Sequence, residues 1–171
     1  MWPPPQDKPN DARIPPRRFQ RGRLWAYAAA ERVCALTGGR AWYRRTQLAG
    51  DRLVVRHERL GVERLPVGLD GFRLVHLSDL HAGPYLGRGD LEGVVAAVAG
   101  VVPDLVVITG DMITHHWRES LLVLDELACM RPHLGMFAVF GNHDYRGRSE
   151  GEIARAYAAR GIRFLRNESV R

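Results

Sequence analysis

The chain has 171 residues, 46% of them hydrophobic and 26% charged, a composition that suits one globular domain with a sizeable core and excludes a wholly disordered chain. Its net charge of +6 is uneven: residues 1–60 hold 13 Lys/Arg against 5 Asp/Glu, and residues 61–171 hold 12 against 14. No stretch approaches the ~20 apolar residues of a membrane span, and the two cysteines, Cys34 and Cys129, are too far apart to read as a metal-spaced pair, which suits a reduced compartment.

Residues 1–21 are predicted to be a disordered Pro/Arg-rich arm, because six of the ten prolines fall before residue 17 and no hydrophobic period runs through them. Residues 22–65 are predicted to hold a helix and a strand. The helix spans 22–37, with Trp25, Ala29, Val33 and Leu36 on one face and Gly38-Gly39 at its end. Two readings stand for it. It packs on the domain, or it lies basic side outward on an anionic surface, a membrane or a nucleic acid. Arg17-Arg18-Phe19 before Leu24–Ala30 is similar to a twin-arginine export signal, but seven apolar residues before Glu31 are at the short limit for one. The expectation is a cytoplasmic protein, peripheral to the membrane if the helix serves that surface. Residues 53–60 read as a strand with a partly polar face.

A regular α/β alternation follows the turn at Gly68–Gly71. The predicted order is strand 72–78, helix 90–101 capped by Asp90, strand 104–109, helix 118–130 stopped by Pro132, strand 135–140, helix 149–160 with a Ser149/Glu152 capping box, and a fourth strand from Ile162. Three of the apolar strands run into polar clusters: Asp79-Leu80-His81, Gly110-Asp111 and Gly141-Asn142-His143-Asp144. The clusters repeat at about the length of one strand-helix-strand unit. Parallel strands would bring them together at the carboxyl edge of one sheet, where open α/β sheets bind ligands. Carboxylate, imidazole and amide donors there describe a site for a hard-to-borderline metal ion. Each cluster alone has a plainer reading as a helix cap or turn residue.

Together, "HLSDLHAG" at 76–83, "DLVVITGDMI" at 104–113 and "MFAVFGNHDYRG" at 136–147 resemble the calcineurin-like metallophosphoesterase superfamily. The resemblance covers residues 66–171, and "GIRFLRNESV" at 161–170 is similar to its bacterial phosphodiesterase-like branch. It implies an α/β fold, a two-sheet sandwich flanked by helices of which this chain carries the first sheet. It also implies metal-dependent hydrolysis of a phosphoester, a phosphodiester ahead of a monoester, with two divalent ions (Mn, Fe or Zn). Asp79 and His81 would bind the first ion, Asp111 would bridge both, and Asn142 would bind the second. His143 would contact the phosphoryl oxygen or protonate the leaving alkoxide, with Asp144 orienting it.

The sequence departs from the family in one respect. The family completes its site with three histidines downstream of Gly-Asn-His-Asp, and here no histidine follows His143. His115 and His116 read as loop or substrate contacts, and His76 as a core or supporting histidine. The expectation is therefore the front part of a metallophosphoesterase domain, which a C-terminal half or a complementary chain would complete, and a poor enzyme by itself. The alternative is a non-catalytic fragment or module whose basic N-terminal region binds an anionic membrane or nucleic acid.

Overall fold

A computed structural model describes residues 18–49 and 52–170. Four short strands form one parallel sheet: β1 (Leu74–Ser78), β2 (Leu105–Thr109), β3 (Met136–Val139) and β4 (Ile162–Phe164), in the order β1-β2-β3-β4. The register sets Ser78 beside Thr109 and Thr109 beside Val139, so the first three strands end level. Each strand is a short Val/Ile/Leu/Phe-rich run bounded by Gly, Pro or polar residues, the pattern of a buried parallel strand.

Helices α3 (Glu92–Val101), α4 (Leu121–Ala128) and α5 (Glu150–Ala158) make the three crossovers. With strands laid down in sequence order, right-handed crossovers put every helix on the same face. That face is the core: Val106, Ile108, Met136, Ala138, Ile162 and Phe164 pack with Val98, Val123, Leu127, Ile153 and Tyr157. The opposite face is thinly covered, with Leu74 52% and Val139 40% exposed. His76 lies on this open side with its Nε2 2.6 Å from Thr109 Oγ1. It is exposed, which corrects its expected place in the core.

The predicted elements of the alternation are all present, shortened by one to three residues at most ends. Two caps differ. Asp90 does not cap α3: its carboxylate accepts from Gly87 N–H at 2.7 Å and pairs with Arg40 and Arg44. The Ser149/Glu152 box lacks its side-chain bond. A capping box forms instead at His116 and Glu119, before a short 3-10 turn at Trp117–Ser120.

The N-terminal region departs further from the expectation. Helix α1 (Arg18–Cys34) begins inside the predicted arm, whose first seventeen residues lie outside the described ones. It breaks at Gly38 (φ 110°), as its glycines predict, but restarts at once as α2 (Arg40–Gln47). Residues 53–60 form no strand: the segment is exposed and pairs with nothing among the described residues. Alternating apolar residues make a strand only where a neighbour completes the ladder, and here β1 has none on that side. Among the described residues no helix is long and apolar enough to cross a membrane.

Candidate metal centre

The site lies where the chain leaves β1, β2 and β3. Three non-glycine residues there adopt positive φ: Asp79 (52°), His81 (47°) and Asp111 (48°). Such a backbone costs of order 1 kcal/mol or more per residue and persists where the surroundings impose it, typically at functional sites. Here the surroundings are the neighbouring loop. His81 N–H donates to Asp111 O at 2.9 Å, Ala82 N–H to Met112 O at 3.0 Å, and Thr114 N–H to Ala82 O at 3.0 Å. Thr114 Oγ1 donates to His81 O at 2.8 Å. The loops after β1 and β2 thus stay zipped beyond the sheet.

The third loop is held by Asp144, which is fully buried. Its Oδ1 accepts from Met112 N–H at 2.8 Å and Ile113 N–H at 3.3 Å, and its Oδ2 from Gly141 N–H at 2.9 Å. Burial pushes its carboxyl above the ordinary aspartate range, with the charge of Asp111 adding to the rise, and the three N–H donors oppose it. Glycine at 141 is a steric requirement, since a Cβ there would collide with the Asp111 main chain and carboxylate. Gly110 (φ 75°) faces Gly141 across the same close approach.

These contacts gather three donors. One ligand atom each of His81, Asp111 and His143 lies within 4.8 Å of the others. His81 Nε2 is 3.6 Å from Asp111 Oδ2, and the two imidazoles meet edge-on at 4.7 Å between centroids. Asp111 is 8% exposed, so its charge sits in a partly dry setting that a bound cation would offset. The His81 imidazole and the Asp111 carboxylate at this spacing fit a borderline divalent ion, with the His143 imidazole beside them.

Each predicted site residue has a definite place. Asp79, His81, Asp111 and Asn142 all follow the carboxyl ends of adjacent parallel strands. Asp79 and Asn142 are exposed at the rim, and Asp79 stands outside the three-donor group. His143 stands within it. Asp144 does not orient His143, contrary to the expectation: its oxygens are taken up by main-chain donors. The His143 ring is held instead by Thr114 O, 3.0 Å from Nδ1, and by Arg146, whose Nη2 is 2.9 Å from Nε2. His115 and His116 stay outside the group. The His115 ring meets Glu31 of α1, and both main-chain N–H groups donate to Glu119.

The calcineurin-like phosphoesterase family model matches residues 72–169, more than half of the chain and all of this site.

The chain belongs to the calcineurin-like phosphoesterase family.

Among curated relatives of this chain, the "uncharacterized metallophosphoesterase YkuE" of Bacillus subtilis is 29% identical over 153 residues, 88% of this chain and 52% of that protein. A "transmembrane protein with metallophosphoesterase domain" of Danio rerio is 44% identical over 84 residues, 49% of this chain and 19% of that protein. The "UDP-2,3-diacylglucosamine pyrophosphatase LpxG" of Chlamydia muridarum is 38% identical over 78 residues, 45% of this chain and 24% of that protein. The chain spans about half or less of the length of these relatives. No solved structure matches it.

Proposed function

We propose that the whole protein hydrolyses a phosphodiester or pyrophosphate bond with the help of two divalent ions, Mn, Fe or Zn, held by Asp79, His81, Asp111 and Asn142. The observation that carries the reading is the convergence of His81, Asp111 and His143 donor atoms at the carboxyl edge of the sheet. Bound divalent ions supply Lewis-acid charge stabilisation and nucleophile activation. Asp111 faces His81 with Oδ2 and anchors the third loop with Oδ1, so it ties the ion-binding edge to His143. His143, set beside the donors with its ring fixed by Thr114 O, is placed to contact a phosphoryl oxygen or give a proton to the leaving alkoxide. Asp144 keeps the loops in register. The likeness to a diacylglucosamine pyrophosphatase favours a lipid-linked phosphoester among the candidate substrates.

The test is turnover of bis-p-nitrophenyl phosphate by the full-length protein with Mn added. His143→Ala should lower the rate by about 10²–10⁴-fold if it is a general acid, with metal content nearly unchanged. Absence of metal-dependent turnover in the full-length protein would leave the non-catalytic reading.

A second reading concerns the N-terminal helices and places the protein in the cytoplasm, peripheral to the membrane. Among the described side chains of α1, Ala28 and Glu31 are partly buried and turn the helix toward the domain, while Trp25 (76%), Leu36 (86%), Val33 and Trp42 are exposed. The segment 18–48 carries seven arginines and one acidic residue. An apolar outer face in so basic a segment suits an anionic bilayer surface ahead of nucleic acid. Anionic vesicles should bind the protein, neutral ones should not, and salt should weaken the binding. Binding indifferent to lipid charge and salt would refute the electrostatic part.

A further inference from the structure

We propose that Arg146 is the phosphate-binding arm of this site: its guanidinium leaves the His143 ring and takes a non-bridging oxygen of the phosphoester. The inference rests on the phosphoesterase reading and adds to it a residue and a role.

Arg146 is partly buried, three residues beyond His143 and directly beside the donor group. Its main-chain N–H donates to His143 O at 2.9 Å, which fixes where its side chain starts. Nη1 donates to Thr114 O at 2.6 Å and Nη2 lies 2.9 Å from His143 Nε2. Guanidinium has only donors, so His143 Nε2 must be the acceptor and its proton must sit on Nδ1, donated to Thr114 O. One carbonyl oxygen therefore serves both side chains.

The pairing leaves the positive charge of Arg146 without an anion. Arg32, Arg40, Arg44, Arg155, Arg160 and Arg163 each meet a carboxylate, but among the described residues Arg146 meets none. A planar fork of donors beside an ion-binding edge matches the oxygens of a phosphoryl group, and a charged acceptor binds it more strongly than a neutral imidazole nitrogen does. Transfer of the guanidinium to phosphate would also free His143 Nε2, a bare acceptor in this arrangement, to take a proton from water and pass it to the leaving alkoxide. One motion would thus couple substrate arrival to the exposure of His143.

The experiment is equilibrium dialysis of the full-length protein against radiolabelled inorganic phosphate with Mn in excess, with Mn content measured on the same samples. Arg146→Ala should weaken phosphate retention by about 10–100-fold, the size of a lost charge-assisted hydrogen bond, with Mn content unchanged. Arg146→Lys keeps the charge without the fork and should fall between. Arg148→Ala, exposed and two residues on, should match the wild type. In metal-free protein, long-range proton–nitrogen NMR should show a bare His143 Nε2 whose signal shifts in Arg146→Lys. Equal phosphate retention by wild type and Arg146→Ala, both holding Mn, would overturn this inference alone. A full-length wild-type protein that takes up neither Mn nor phosphate would overturn the phosphoesterase reading and this inference with it. Should Arg146→Ala lose Mn as well, Arg146→Lys decides: undiminished phosphate binding there overturns the role of the fork.

Discussion

The main-chain N–H of His143 donates to Asp111 Oδ1 at 2.8 Å, while Oδ2 of the same carboxylate faces His81. Asp111 is thus half structural and half available. One oxygen fixes the loop that carries Asn142 and His143, and the other points at the metal-binding edge.

This division separates two substitutions. Asp111→Asn can still accept the His143 N–H but loses the charge, so the protein should fold with stability near wild type and bind Mn far more weakly. Asp111→Ala loses both, and stranding a partly buried N–H should cost about 1–3 kcal/mol in addition. Urea unfolding of metal-free protein, alongside Mn binding, checks the pair. Equal stability of the two variants would remove the structural half of the role.

Gly141→Ala should be among the most disruptive single-methyl additions in the chain. The added Cβ meets the Asp111 main chain and carboxylate, which cannot both retreat while Asp111 holds His143. Overpacking of this kind costs about 1–3 kcal/mol, and here the strain falls on the ligand itself. The variant should unfold at lower urea and lose Mn binding. Gly151→Ala, on α5 with open space around it, is the control and should do neither.

Asp144 predicts the sign of a pH effect in metal-free protein. Its folded carboxyl titrates above its unfolded one because burial disfavours the charge. Between the ordinary value of 3.8 and the raised one, the folded state binds more protons than the unfolded state. Its contribution therefore falls as pH rises through that window and recovers as pH falls. Asp144→Asn should abolish this slope. It should also lower stability by about 1–3 kcal/mol, since an amide cannot accept from both sets of main-chain donors. Unfolding free energies measured across the acid range provide the test. A wild-type slope of opposite sign, retained in the variant, would assign the pH dependence elsewhere.

The isolated 171-residue chain should self-associate. All-parallel sheets are normally covered on both faces, and among the described residues this one bears its crossover helices on one face only, with Leu74 and Val139 exposed on the other. The outer edges of β1 and β4 also lack ladder partners among the described residues. Sedimentation velocity over a concentration series reads the outcome. A monodisperse monomer that holds two tightly bound ions and turns over at ~1 per second would refute the expectation of a poor enzyme.

Much of the fold was legible because it rests on local signals. Short Val/Ile/Leu/Phe runs ended by glycine or polar residues marked β1 to β4, and Gly38 marked a helix end. The placement of Asp79, His81, Asp111 and Asn142 followed from their spacing once the strands were parallel. Long-range partners were not legible. Residues 53–60 carry a strand pattern, but a pattern does not provide a neighbour. The true partners of Asp144 are the N–H groups of Met112 and Ile113 on the loop after β2 and of Gly141 on its own loop, which no spacing shows. Arg146 offered only a weak signal, one arginine three residues after His143. The restart of α2 after Gly38-Gly39 brings Arg40 and Arg44 to Asp90, fifty and forty-six residues on, a pairing no local signal shows.

The strand order carries a consequence for synthesis. Each strand pairs with the one made just before it, so the sheet can grow in the direction of translation. The His81–Asp111 loop pair can close when Thr114 has emerged, ahead of the loop bearing His143 and Arg146. The last part to lock is the Asp144 carboxylate against Met112 and Ile113. A nascent chain would thus acquire Asp79, His81 and Asp111 before Asn142 and the groups that address the substrate.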